Sequence, residues 1–141
     1  MSARLIAAVG GLGLALLAAP ASGQEAPRGY GCTFKLGTTL SYAKGAYKAK
    51  RARPLSFEVG EIDLEGQRAL LVTPAGKGQL RVVRAINANH FLEVVAEGFL
   101  NVTTIYDKDA RLGVHPAVHS RHFGLFGEPV VAQYHGSCRA K

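Results

Sequence analysis

From Gly31 onward the chain is a succession of short runs rich in Val, Ile, Leu, Phe, Tyr and Thr, each closed off by Gly, Pro, Asn or Asp. The runs are "CTFKLGTTLSY", "PLSFEVGEIDL", "RALLVT", "GQLRVVRAI", "HFLEVVAE", "NVTTIY", "PAVHSRHF" and "PVVAQYH". Residues of this kind, in lengths of this kind, between turn-forming residues, predict eight β-strands. No interval carries a long amphipathic helix: "YAKGAYKAKRA" has alanines and lysines, but Gly45 interrupts it and its apolar face is thin. It reads as a basic connector between the first two strands.

Alternation along the runs sorts side chains onto two faces. Leu80, Val82 and Arg84 oppose Arg81, Val83 and Ala85, and the Leu92 side of "HFLEVVAE" is expected to be the interior one. Val102, Thr104 and Tyr106 oppose Thr103 and Ile105, so neither face of that run is cleanly apolar. Hydroxyls turned inward there need hydrogen-bond partners.

Sequential strands joined by tight turns predict an all-β fold, a small antiparallel meander barrel of about eight strands, with a two-sheet sandwich as the alternative. Cys32 and Cys138, near the two ends of this region, favour the barrel, because closure makes the first and last strands neighbours. In outline such a barrel resembles those of the lipocalin kind. The resemblance is one of architecture and implies no ligand.

The N-terminal segment departs from this pattern. Arg4 precedes an unbroken apolar or glycine run from Leu5 to Ala19, and Pro20 and small residues follow. This predicts a secretory signal peptide over residues 1–23, with a single domain over 24–141. The run falls short of the roughly 20 residues of a membrane helix, so the mature chain is expected to lack a transmembrane anchor. An exported protein, periplasmic in a Gram-negative cell and otherwise secreted, meets oxidising conditions, and Cys32 and Cys138 are expected to pair.

Export also changes the meaning of the charge. The formal net charge is +7. Outside the cytosol a surplus of that sign points to anionic lipid or polysaccharide rather than nucleic acid, and it assists encounter without naming a partner. Its densest expression is the basic connector, where Lys44, Lys48, Lys50, Arg51 and Arg53 interleave with Tyr42 and Tyr47 without an acid. The alternative role for these cations is a solvated loop.

The other candidate chemistry is "HPAVHSRHFG", with His115, His119 and His122, followed by His135 in the next run. Neutral imidazoles bind zinc and copper, the only cofactors the sequence suggests. Strand parity puts His119 and His122 on opposite faces, so one ion can hold both only across a bulge. A His119–His135 pair, joined by His115, requires the right cross-strand register. Ser120 and His122 lack an acid partner and a nucleophile elbow. Asp107 and Asp109 read as turn residues rather than a catalytic pair. Asn101–Val102–Thr103 has the form of a glycosylation sequon. These readings converge on a non-enzymatic exported β-domain that binds an apolar small molecule or an anionic envelope component. A zinc or copper binder and a ligand-free structural envelope domain are the alternatives.

Overall fold

The computed structural model describes residues 26–95, 98–125 and 127–141. Residues 1–23, where a signal peptide is expected, lie outside them. No helix among the described residues is long and apolar enough to cross a membrane.

Among the described residues nine strands follow one another: β1 (Tyr30–Ala43), β2 (Ala46–Arg51), β3 (Leu55–Asp63), β4 (Arg68–Thr73), β5 (Gly76–Arg84), β6 (Ala88–Val95), β7 (Phe99–Tyr106), β8 (His115–Leu125) and β9 (Glu128–Ala140). From β3 to β9 each pairs antiparallel with the next, and β1 closes the ring by pairing with both β3 and β9. The result is a closed eight-stranded antiparallel barrel, with β2 added outside the ring. All strands belong to one continuous sheet, so the two-layer sandwich is not the arrangement adopted.

The expected connector is where sequence and structure part. Tyr42 lies opposite Tyr47 and Ala43 opposite Ala46, leaving Lys44 and Gly45 as a two-residue turn. Both have positive φ, 53° and 80°, as a type I′ hairpin turn requires. The "basic connector" is therefore the end of β1, a tight turn and a strand. β2 escapes a sequence pattern search because it is exposed throughout and has no buried face to mark.

β2 and β3 lie along the same edge of β1, β2 against Thr38–Ala43 and β3 against Tyr30–Phe34. Between them the Ala52 N–H donates to the Gly37 carbonyl at 2.9 Å. Pro54, which has no N–H to give, falls in the interruption. On the other edge of β1 the ladder to β9 shifts register between Phe34 and Leu36, a β-bulge. A bulge adds one residue and reverses which parity faces inward. Tyr30, Cys32 and Phe34 are buried before it, whereas Leu36 beyond it is 63% exposed and Gly37 sits beneath the Tyr134 ring. A Cβ on Gly37 would stand 2.6 Å from that ring and 3.0 Å from the Ala52 Cβ.

The barrel interior is filled. Phe34, fully buried, stacks on Phe57 with ring centroids 5.4 Å apart, and Val59, Val82, Leu80, Phe91 and Ile105 pack around them. Phe91 rather than Leu92 faces inward, so the expected orientation of β6 is reversed. Both faces of that run are partly apolar, and a buried phenyl ring removes more apolar area from water than a leucine does. Cys32 and Cys138 stand opposite each other in the β1–β9 ladder and are bonded to each other, across 106 residues of sequence. Gly136, two residues earlier, lies opposite Phe34, and a Cβ there would overlap the Thr33 carbonyl, so the seam closes only because that position carries no side chain.

Candidate functional site

The histidines do not converge. His119 is 3% exposed and points into the barrel. His122 is exposed on the other face, as parity requires. The β8–β9 register sets His119 opposite Tyr134 and Val118 opposite His135, so His135 is on the outer wall while His119 is inside. His115 sits at the far end of β8, its Nδ1 2.9 Å from the Tyr106 carbonyl and its ring edge-on to Tyr30. Among the described residues no three His, Cys, Asp or Glu side chains gather as a metal site. Asp109, in the turn before β8, accepts the N–H groups of Arg111 at 2.8 Å and Leu112 at 3.1 Å.

Both nitrogens of His119 are already engaged. Arg121 Nε donates to His119 Nε2 at 3.1 Å, and His119 Nδ1 lies 2.8 Å from Thr103 Oγ1. An acceptor Nε2 fixes the neutral ring with its proton on Nδ1, which donates to the threonine hydroxyl. Burial among Phe34, Phe57 and Tyr134, with the Arg121 charge as a smaller contribution, lowers the His119 pKa to about 4. A histidine that titrates near 6.5 unfolded and near 4 folded makes the unfolded chain take up the proton first. Its contribution to stability is full above pH 6.5 and is lost as the pH falls toward 4. Urea midpoints measured at pH 7 and pH 4.5 should therefore fall more steeply in the wild type than in His119→Gln.

This imidazole belongs to a larger arrangement. The β5–β6 ladder covers only Arg81–Arg84 against Asn89–Leu92, so the two strands part beyond Leu92. From there the wall carries on through β7, β8, β9, β1 and β2 and forms one side of an open mouth. The cross-strand registers arrange its inner side in successive rows. The lowest, Phe91, Thr103, His119, Tyr134, Gly37 and Ala52, closes the floor. The next runs from Glu93 through Asn101 and Arg121 to Ala132, Thr39 and Lys50. The third is Val95, Phe99, Phe123, Val130, Ser41 and Lys48, and beyond it the same side continues with Ala43, Ala46 and the exposed Glu128.

Polar groups in the middle row are held by their neighbours. Asn101 Nδ2 donates to Glu93 Oε2 at 2.7 Å, and the Glu93 carboxylate rests where Gly78 leaves room for it. The Arg121 guanidinium lies over the Tyr134 ring, 5.9 Å from its centroid. Phe99 and Phe123 pack at 5.4 Å above it. Val95, Phe99, Asn101, Arg121 and Phe123 line a cavity of about 360 Å³. Larger depressions, of about 700 and 620 Å³, lie beside Thr33 and Arg139, and another of about 450 Å³ lies beside Arg68 and Arg81.

Of the five cations singled out in the sequence, Lys48 and Lys50 stand opposite Ser41 and Thr39 and so border the inner side, while Arg51 opposes Thr38 on the outer side. Lys44 occupies the turn and Arg53 the interruption before β3, both exposed. The outer side of the β1–β2 ribbon also exposes Leu36, Leu40 and the Tyr42–Tyr47 pair, whose rings are 4.9 Å apart. Sequence reasoning missed Arg121, Asn101 and Glu93 as a group, because only the register shows that they are neighbours. The one available signal was that Arg121 shares the face of His119.

The fold thus defines a closed eight-stranded antiparallel barrel. No family model, curated protein or solved structure matches this chain.

Proposed function

We propose that this is an exported, non-enzymatic binding domain whose β1–β2 ribbon attaches it to an anionic envelope surface, with anionic lipid as the partner. The observation that carries the reading is the ribbon itself. Lys44, Lys48, Lys50 and Arg51 on it and Arg53 just past it are all exposed, no acid occurs from Leu36 to Phe57, and the side that carries Arg51 exposes Leu36, Leu40, Tyr42 and Tyr47, with Lys48 and Lys50 on the other side. Cations near an anionic membrane contribute about 1 kcal/mol each, and tyrosines settle at the boundary between headgroup and acyl chain. A polysaccharide would use the cations and leave the apolar side chains without a role, which favours lipid. Export is supported by the apolar run from Leu5 to Ala19 and fits a bonded Cys32–Cys138 pair.

Sedimentation with phosphatidylglycerol vesicles tests it. The wild type should pellet at low salt and be released as salt rises. Reversing the charge of all five cations to Glu should weaken binding at least tenfold, with no change toward phosphatidylcholine vesicles. Equal pelleting of the two proteins would remove the ribbon from the mechanism.

A further inference from the structure

The inner side of the mouth is built differently from the ribbon's outer side, and it points to a different kind of ligand. We propose that it is a binding site for a small apolar monocarboxylate, taken headgroup first, with Arg121 holding the carboxylate and Phe99 and Phe123 flanking the apolar body.

The order of the rows sets the orientation. Inward of the exposed Glu128, an entering molecule meets Val95, Phe99, Phe123 and Val130 before Arg121, and Arg121 before the floor. A ligand with its charge at one end and its apolar part at the other satisfies both levels in only one direction. The 360 Å³ available lies near the lower end of the range for small-molecule pockets, about 300 to 1,000 Å³, so the apolar body is a small ring system or a short acyl chain.

Arg121 is prepared for this role before any ligand arrives. Its Nε donates to His119 and its guanidinium lies over the Tyr134 ring, so its direction is restrained. Among the described residues no carboxylate lies within salt-bridge distance of it. What remains is the pair of terminal Nη groups, whose parallel N–H bonds match the two oxygens of a carboxylate. A positive charge that is partly shielded from water, held in place and not neutralised is what an anionic ligand completes.

Glu93 decides the charge of that anion. It occupies the same row as Arg121, two strands away, with Asn101 between. A monoanion brings the row of Glu93, Arg121 and Lys50 to zero formal charge, whereas a dianion such as a phosphate monoester leaves it negative beside Glu93. His119, neutral because its Nε2 accepts from Arg121, adds no positive charge of its own. It serves as a positioning residue that aims the guanidinium.

The test is equilibrium binding of 2-naphthoate, followed by its fluorescence, against the neutral isostere 2-naphthamide, with full-length mature protein and no lipid. Naphthoate should bind at least tenfold more tightly than the amide, and Arg121→Gln should abolish that preference. Phe123→Ala should weaken acid and amide alike. Competition by decanoate or by benzoate then separates an acyl source from an aromatic one. If Arg121→Gln fails to unfold cooperatively, Arg121→Lys carries the test, since it keeps the charge but loses the fork and should reduce the acid preference several-fold. Equal affinity for acid and amide, absence of binding by either, or a preference that survives both Arg121 substitutions overturns the proposal. No vesicles are present, so failure of the ribbon's lipid attachment and failure of this site register in separate experiments.

Discussion

Reducing the Cys32–Cys138 bond is expected to lower stability by about 4 to 5 kcal/mol, the largest single loss the fold should show. The bond spans 106 residues, nearly the whole described chain, and a long loop left open in the unfolded state is entropically the most costly to close. Its position adds a second reason. It lies in the β1–β9 ladder, the pairing that converts an eight-stranded meander into a ring. Urea unfolding followed by circular dichroism, with and without reductant, measures the loss. Cys32→Ser with Cys138→Ser should reproduce the reduced curve. A midpoint that does not move would mean that the β1–β9 ladder holds without its covalent tie.

Phe34→Ala should follow closely, at about 3 to 5 kcal/mol, the range for removing a fully buried aromatic ring. Phe34 is 0% exposed, stacks on Phe57 and touches the His119 ring. Its loss opens a cavity beside the imidazole that orients Arg121. The same variant should therefore both unfold at lower urea and bind naphthoate less well, whereas Val83→Ala, on the exposed outer wall, should do neither. A loss below 1 kcal/mol would show that the interior collapses freely around the missing ring.

Much of this architecture was legible in the order of residues. "RALLVT" coincides with β4, and turn chemistry separated the other runs correctly because Gly, Pro, Asn and Asp act locally. The separation of His119 from His122 also follows from parity alone, since no bulge interrupts β8 between them. Three features resisted for physical reasons. β2 lacks a buried face, and its lysines and alanines are poor strand formers, so nothing in its pattern distinguished it from a loop. The orientation of β6 turned on Glu93, which pattern alone assigns to water, whereas Asn101 stands opposite it and donates to its carboxylate. The partner of His119 depended on where the last hairpin turns, and an offset of one residue exchanges His135 for Tyr134.

The bulge beside Lys35 has a consequence for how the mouth is specified. If the alternation of Tyr30, Cys32 and Phe34 had run on unbroken, Leu36, Leu40 and Tyr42 would line the lumen, and Thr39 and Ser41 would face out. The same amino acids would then enclose a greasy channel. What prevents that slip is a fit at one point, because the place beneath the Tyr134 ring admits no side chain and Gly37 is the one residue between Lys35 and Ala43 that has none. Tyr134 therefore works as a counter: by accepting only glycine it fixes the phase of everything beyond, and the wetness of the mouth is decided by a contact that lies beneath it.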